Sequence, residues 1–143
     1  MQLADVNILV AAFRDDAPGH KTCRGLVEAM VDGPLPYGVS DHVLSGFVRV
    51  STHPRVFDPP APVEEALAFA DAYRSSPGAV PIAPGPRHWR IFMSLCRTAR
   101  ARGNLVPDAY LAALALESGC EWITADRDFG RFPDLRWTLV DLR

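Results

Sequence analysis

The chain has 143 residues, of which 48% are hydrophobic, and a formal net charge of −2. This length and composition fit one globular domain spanning 1–143, and they exclude a disordered chain and a strongly basic nucleic-acid binder. No apolar run approaches the ~20 residues that cross a membrane, and the N-terminus lacks a signal-peptide pattern, so we expect a cytoplasmic protein.

The first half of the chain predicts two short strands separated by amphipathic helices. Apolar spacing indicates a strand at 2–4, helices at 6–14 and 21–31, a strand at 37–39, a helix that Ser40 caps and that runs to about residue 51, and a helix at 63–73. Prolines cluster at 54–62 and 77–86, which predicts loops in both places.

The second half continues the alternation of strands and helices. It predicts a strand at 79–82, a long helix at 86–102 that ends at Gly103, an apolar helix at 108–117 that follows Pro107 and ends at Gly119, and strands at 122–124 and 137–140. The tryptophans and cysteines are expected to be core residues, with the cysteines neither paired nor bound to zinc: Trp89, Trp122, Trp137, Cys23, Cys96 and Cys120.

This order of elements predicts an α/β fold with a mainly parallel central sheet flanked by helices. Ligand sites in such sheets lie beyond the carboxyl ends of the strands. The chain contains no HExxH motif, no Gly-rich phosphate loop and no GxSxG motif. The sequence therefore argues against a zinc hydrolase, a nucleotide hydrolase and a serine hydrolase.

Four aspartates stand where predicted elements begin or end. Asp5 ends the first strand, Asp108 opens the apolar helix, and Asp126 and Asp128 follow the strand at 122–124. Taken singly, each is explained by a helix cap or a turn. In a parallel sheet, however, these positions meet at one edge, so together they predict a functional site.

Clustered carboxylates require a cation, because two of them ~4 Å apart repel by about 4 kcal/mol at an effective dielectric constant of ~20. Without a cation, some of these carboxyl groups would have to be protonated. Oxygen ligands suit Mg²⁺, and one or two such ions support phosphodiester cleavage. The constellation therefore predicts a metal-dependent site for phosphodiester hydrolysis.

Three motifs resemble those of a known family. LADVNILVAAF at 3–13 is similar to the opening of PIN domains, in which a strand is followed by Asp-x-Asn and a helix. VPDAYLAALALESGCEWITADRDF at 106–129 resembles the C-terminal half of the same domains, and VLSGFVRVSTHPRVF at 43–57 resembles VapC-type toxins. Together these motifs cover essentially the whole chain, as one PIN domain.

The resemblance implies both a fold and a function. PIN domains are sandwiches with a parallel sheet between helices, and they cleave RNA with Mg²⁺ or Mn²⁺ held by acidic residues. VapC-type members are homodimeric endoribonuclease toxins that cut tRNA or rRNA. A cognate VapB-type antitoxin inserts into the active-site groove of the toxin and blocks it.

The resemblance also implies roles for individual residues. The catalytic acids are Asp5, Asp108, Asp126 and Asp128, and the first three of these are the expected metal ligands. Asn7 and Thr124 match supporting positions of the motifs, and Asn7 is expected to orient Asp5 by hydrogen bonding.

One position departs from the family pattern. Many members carry a glutamate in the helix after the second strand, where this chain has Gly46, or Ser45 if the register shifts by one. Asp41 is the nearest carboxylate and a candidate replacement through a water, although an acid in a first helical turn is an equally good explanation. This departure keeps open an alternative function, a catalytically impaired PIN-fold module that binds antitoxin or RNA without cleaving it.

Arginines near the motifs are candidates for contact with RNA phosphates. Arg127 flanks the acidic turn and Arg49 lies in the middle motif, but surface ion pairs are the other explanation for both. A phosphoryl-accepting receiver domain also clusters aspartates and needs a lysine beside them. The only lysine, Lys21, lies in the second predicted helix, which argues against that function.

Overall fold

The computed structural model describes all residues, 1–143, and contains five strands and six α-helices. The strands are β1 (Gln2–Ala4), β2 (Tyr37–Val39), β3 (Ala79–Pro81), β4 (Glu121–Thr124) and β5 (Trp137–Leu139). The helices are α1 (Val6–Phe13), α2 (His20–Asp32), α3 (Asp41–Ser51), α4 (Val63–Ser75), α5 (His88–Thr98) and α6 (Leu105–Ser118), and a 3₁₀ helix spans Arg127–Arg131.

All five strands are parallel and form one sheet in the order β3-β2-β1-β4-β5. Leu3 in the central strand β1 pairs with Gly38 on one side and with Trp122 on the other. The strand order reverses direction between β1 and β4, and this reversal opens a crevice at their carboxyl ends. The prediction of an α/β fold with a parallel sheet is confirmed.

The connections between the strands place helices on both faces of the sheet. Crossovers between parallel strands are right-handed, so α1 to α4, which link β1 to β2 and β2 to β3, lie on one face. The connection from β3 to β4 runs in the opposite direction along the sheet and carries α5 and α6 to the other face. The helix contacts agree, since α1 packs on α2 and α3 while α5 packs on α6.

The core depends on two helices with few polar side chains. In α1, the residues from Ile8 to Ala12 are all buried, and in α6 the run from Leu111 to Ala115 is buried. Small alanines on α6 allow it to pack closely on both the sheet and α5, as its sequence predicts. Gly119 ends α6 in a left-handed conformation, also as predicted.

The predicted long helix at 86–102 is wrong at its C-terminal end. The helix stops at Thr98, and Arg100, with φ of 50°, takes the left-handed conformation that closes it. Gly103 is also left-handed, with φ of 58°, but it lies beyond the helix, in the turn before α6. The amide of Ala101 donates to the carbonyl of Cys96, which completes a Schellman motif. The next helix then begins at Leu105, three residues earlier than predicted.

The tryptophan prediction is partly wrong. Trp122 is fully buried and Trp137 packs against the core, but the side chain of Trp89 is 64% exposed. Trp89 lies beside Phe92, with ring centroids 5.3 Å apart, on the side of α5 that faces solvent.

Cys23 and Cys120 are buried, Cys96 is half-buried, and all three are free thiols. No helix combines the length and the apolar character that crossing a membrane requires.

The close packing of α6 generates a stability prediction. Ala112→Leu adds three carbons at a site with 0% exposure, so we expect the free energy of unfolding to fall by about 1–3 kcal/mol through overpacking. Urea denaturation followed by circular dichroism measures this change. Ala68→Leu, at an exposed position of α4, is the matched control and should change stability little. Equal effects of the two substitutions would contradict the close packing of α6.

Candidate active site

Asp5 lies at the carboxyl end of the central strand, where it links β1 to α1. Its amide donates to the carbonyl of Ile123 at 2.8 Å, which extends the pairing of β1 with β4 by one residue. Its carboxylate caps α1 by accepting the amide hydrogen of Val6 at 2.6 Å. With only 6% of its surface exposed, Asp5 is a buried acid at the sheet edge.

Thr124 connects the end of β4 to this carboxylate. Its hydroxyl donates to Oδ2 of Asp5 at 2.6 Å and accepts the amide hydrogen of Asp126 at 3.0 Å. The side chain is fully buried, so both bonds are made away from water. One hydroxyl therefore fixes the position of Asp5 and the direction in which the chain leaves β4.

Asn7 makes the second link across the same crevice. Its amide nitrogen donates to Oδ2 of Asp5 at 3.2 Å, and its side-chain oxygen accepts the amide hydrogen of Ala125 at 3.2 Å. The contact between Asn7 and Asp5 that the sequence predicts is thus present. Because Asn7 belongs to α1 and is hydrogen-bonded to the segment after β4, the crevice has a fixed width at this point.

The remaining three aspartates converge beside Asp5. Asp108 lies in the first turn of α6, and Asp126 caps the 3₁₀ helix by accepting the amide hydrogen of Asp128 at 2.9 Å. One carboxylate oxygen from each of Asp108, Asp126 and Asp128 lies within 4.8 Å of the others. We call these three residues, together with Asp5, the acidic cluster.

Burial and mutual repulsion raise two pKa values in the cluster. Burial raises the pKa of Asp5 to about 6, with a contribution from the charge of Asp126, although the hydrogen bonds from Thr124, Val6 and Asn7 act in the opposite direction. Burial also raises the pKa of Asp108 to about 6, with contributions from Asp126, Asp5 and Asp128. No hydrogen bond and no basic side chain offsets the shift at Asp108.

These properties fit a hard divalent cation. The donor set consists of carboxylate oxygens from three separate parts of the chain, and oxygen ligands of this kind suit Mg²⁺ and Mn²⁺. A cation among them would remove the repulsion that raises the pKa of Asp108. The acidic cluster therefore has the composition and the electrostatics of a metal site.

Three members of the acidic cluster, Asp5, Asp108 and Asp126, line a cleft of about 540 Å³. Asn7 and Arg49 of α3 also lie on its wall. The rest of the wall is mostly apolar and was not anticipated from the sequence: Val6, Val10, Ala11, Ala17, Pro18, Val50, Val56, Phe57, Leu111 and Leu142. Arg127 lies outside this cleft and near Asp141, whose pKa is lowered first by hydrogen bonds from Arg143 and to a smaller extent by the charge of Arg127.

The structure does not bring Asp41 into the acidic cluster, which corrects the suggestion that it replaces the missing glutamate. The Asp41 carboxylate accepts two hydrogen bonds from Arg74, at 2.7 and 3.2 Å, on the exposed surface between α3 and α4. Ser45 borders the groove between these helices. A Cβ atom at Gly46 would lie 2.9 Å from Cγ2 of Val6, so the side chain of Val6 already fills that space.

Comparison with known proteins gives one family and several relatives. The family model described as "PIN domain" matches residues 3–135. Ribonuclease VapC43 of Mycobacterium tuberculosis is 44% identical over 137 residues, which are 96% of this chain and 93% of that protein. Ribonuclease VapC25 of the same species is 41% identical over 136 residues, which are 95% of this chain and 96% of that protein.

A solved structure resembles the fold. The crystal structure of VapBC2 from Rickettsia felis, bound to a DNA fragment from its promoter, matches with a TM-score of 0.70. The match covers 96% of this chain and 97% of the other at 18% identity, so it supports the fold alone. Fold, family model and relatives therefore agree along nearly the full length of the chain.

The hydrogen bonds of the Thr124 hydroxyl to Asp5 and Asp126 lead to a prediction about the site. Thr124→Val keeps the shape but removes the donor to Asp5 and the acceptor for Asp126, so we expect the free energy of unfolding to fall by about 1–3 kcal/mol. Affinity for Mg²⁺, measured by calorimetry, should fall about 10–100-fold, as is typical when a partner of a metal ligand is lost. Thr124→Ser should retain both properties, and the exposed Thr138→Val is the control. Wild-type Mg²⁺ affinity in Thr124→Val would contradict the role of the hydroxyl.

The raised pKa values predict how the stability of the metal-free protein depends on pH. Unfolded aspartates titrate near 3.8, whereas folded Asp5 and Asp108 titrate near 6, so between these values the folded state binds more protons. Stability is therefore lost as pH rises through that window, and the loss is complete above about pH 6. Urea denaturation at a series of pH values in EDTA measures the decline.

Asp108→Asn should make this decline shallower, because asparagine does not ionise and no buried charge forms at position 108 as the pH rises. Asp32→Asn, at an exposed position in the last turn of α2, is the matched control and should keep the wild-type slope. A slope that does not change in Asp108→Asn would contradict the electrostatic description of the cluster.

Proposed function

The chain belongs to the PIN-domain family and to the VapC ribonucleases within it, and we propose that it is a Mg²⁺-dependent endoribonuclease, the toxin of a type II toxin–antitoxin pair. The observation that carries this proposal is the convergence of Asp108, Asp126 and Asp128 beside the buried Asp5 at the carboxyl edge of the sheet. Four clustered carboxylates without a basic partner, three of them lining a cleft, fit a cation-dependent hydrolase.

In this proposal Asp5, Asp108 and Asp126 hold the ion, and Asp128 completes the acidic pocket. Mn²⁺, which also suits carboxylate and water oxygens, substitutes for Mg²⁺. Bound Mg²⁺ supplies Lewis acidity, which makes a phosphodiester easier to attack and a water easier to deprotonate. The chain supplies a rigid frame for the ligands, because Thr124 and Asn7 each bond Asp5 to the segment that carries Asp126.

The chain also orients the substrate and limits water access. Arg49 on the cleft wall can donate two parallel hydrogen bonds to an RNA phosphate next to the acidic cluster. The apolar wall formed by residues such as Val10, Val56 and Phe57 excludes water from that side and strengthens the electrostatic interactions of the cluster. Arg127, outside the cleft, is a second and more distant candidate for contact with RNA.

The proposed substrate is a structured RNA, tRNA or rRNA, whose cleavage stops translation. The proposed protein partners are a VapB-type antitoxin and a second copy of the chain. The similarity to VapC ribonucleases and to a VapBC complex supports the antitoxin as a partner. The apolar wall of the cleft also fits an antitoxin segment that would cover the acidic cluster, because such a wall favours apolar side chains over an RNA backbone.

The alternative is a module that binds antitoxin or RNA without cleaving it, and Gly46 is the observation in its favour. The contact between Gly46 and Val6 explains the glycine by packing, since any side chain at position 46 meets Cγ2 of Val6. The four aspartates are independent of that position. We therefore favour the ribonuclease over the binding module.

Cleavage of total cellular RNA tests the proposal. With Mg²⁺ or Mn²⁺ the purified protein should release discrete fragments, and EDTA should prevent their release. Asp5→Asn and Asp108→Asn should each reduce the rate more than about a hundredfold, since losing even a partner of a metal ligand costs 10–100-fold. Asp32→Asn, exposed and remote from the cleft, is the matched control and should cleave at the wild-type rate.

Two results would contradict the proposal in different ways. A folded protein that cleaves no RNA with either metal would favour the binding module. Wild-type cleavage by Asp108→Asn would instead remove that residue from the catalytic site.

A further inference from the structure

Basic residues are concentrated in one part of the chain. Residues 72–107 contain six arginines and no aspartate, glutamate or lysine, although acidic residues outnumber basic ones overall. Arg97, Arg100 and Arg102 lie at and just beyond the C-terminal end of α5, and all three are exposed. None of them forms an ion pair, whereas Arg74, the first arginine of the segment, is paired with Asp41.

The connection between α5 and α6 leads directly into the acidic cluster. It ends where α6 begins, and Asp108 lies in the first turn of that helix. Arg131, at the end of the 3₁₀ helix that follows Asp126, reaches the same connection by donating to the carbonyl of Ala99 at 3.4 Å. We call Arg97, Arg100, Arg102 and Arg131 the arginine ridge.

The arginine ridge and Arg49 lie on different sides of the acidic cluster. Arg49 belongs to α3, on one face of the sheet, and the connection between α5 and α6 lies on the other face. A polyanion at the cluster would therefore meet positive charge on both sides. The ridge does not neutralise the cluster itself, since none of its arginines forms an ion pair with an aspartate of the cluster.

The backbone at Arg100 is a second and independent observation. It has φ of 50° at the position of a Schellman motif that glycine usually occupies. A long side chain in this left-handed conformation costs stability that a glycine would not cost. Residues kept in unfavourable conformations of this kind are concentrated at binding and catalytic sites.

We propose that the arginine ridge binds the sugar-phosphate backbone of RNA that extends from the acidic cluster towards the α5–α6 side. This inference rests on the proposed ribonuclease function. An acidic cluster in a chain of negative net charge repels a polyanionic substrate, so productive binding requires positive charge close to the cluster. Guanidinium groups match phosphate oxygens in two-point hydrogen bonds, and the unpaired arginines of the ridge are free to make them.

The test separates binding from cleavage. A fluorescein-labelled RNA hairpin with a single-stranded tail is titrated with Asp108→Asn protein in Mg²⁺, and affinity is measured by fluorescence anisotropy at several salt concentrations. Replacing Arg97, Arg100 and Arg102 with Gln should lower the affinity roughly tenfold or more, and the slope of log affinity against log salt should fall by about two. The matched control replaces Arg24, Arg136 and Arg143 with Gln, which gives the same change in charge at exposed sites elsewhere.

Arg100→Gly gives a second readout that does not depend on the triple substitution. Glycine relieves the left-handed backbone, so the midpoint of thermal unfolding should rise while RNA affinity falls. A protein that is more stable but binds RNA more weakly would identify Arg100 as a residue kept for binding. If both properties decrease together, the arginine has a structural role and its assignment to the ridge is wrong.

The outcomes distinguish a failure of the ridge proposal from a failure of the ribonuclease function on which that proposal rests. If the parent protein binds RNA and the triple variant binds equally well, the ridge is wrong and the proposed ribonuclease function stands. If the triple variant keeps its RNA affinity but binds antitoxin more weakly, the ridge is a protein-binding surface and the proposal is overturned. If the Asp108→Asn protein binds no RNA, the ridge proposal fails, and the ribonuclease function fails with it only if the wild-type protein also cleaves no RNA.

Discussion

Asp5 carries a buried carboxylate at the end of the central strand, and its hydrogen bonds organise the edge of the sheet around it. The amide of Val6, the hydroxyl of Thr124 and the amide of Asn7 all donate to this carboxylate. Because these donors come from α1 and β4, an ionised Asp5 fixes the two elements that border the crevice. Burial opposes ionisation and raises the pKa of Asp5 to about 6. The geometry of the sheet edge therefore depends on a carboxylate whose ionisation is energetically unfavourable.

Charging the carboxylates is also unfavourable in the rest of the acidic cluster, and this makes the site favourable for a cation. Asp108 accepts no hydrogen bond and faces three other carboxylates, so it gains most from a cation. A basic side chain placed among them would relieve the repulsion, but it would also compete with a metal ion. Instead, Arg49 and the arginines of the ridge lie to the sides of the cluster rather than among its carboxylates. This arrangement leaves the carboxylates free for a cation and provides positive charge for a polyanion that binds next to it.

The sequence predicts those parts of the molecule that depend on local pattern. The alternation of strands and helices predicts the parallel sheet that the structure contains. The positions of Asp5, Asp108 and Asp126 at the ends of elements predict that they meet at one edge of the sheet, where the structure places them. Apolar periodicity failed for Trp89, because one side of α5 carries apolar residues although no element covers Trp89. The helix end at Arg100 was missed because glycine is the usual signal, and Asp41 was misjudged because its partner Arg74 is remote in sequence.

The central claim is that the acidic cluster is charged at the expense of stability and is completed by a divalent cation. Titration with Mg²⁺ in an isothermal calorimeter, in buffers with different ionisation enthalpies, tests it most directly. Because Asp5 and Asp108 are partly protonated near pH 6, binding at that pH should release protons, and the release should disappear well above it. Binding without proton release at either pH, or no binding by the folded protein, would contradict the claim.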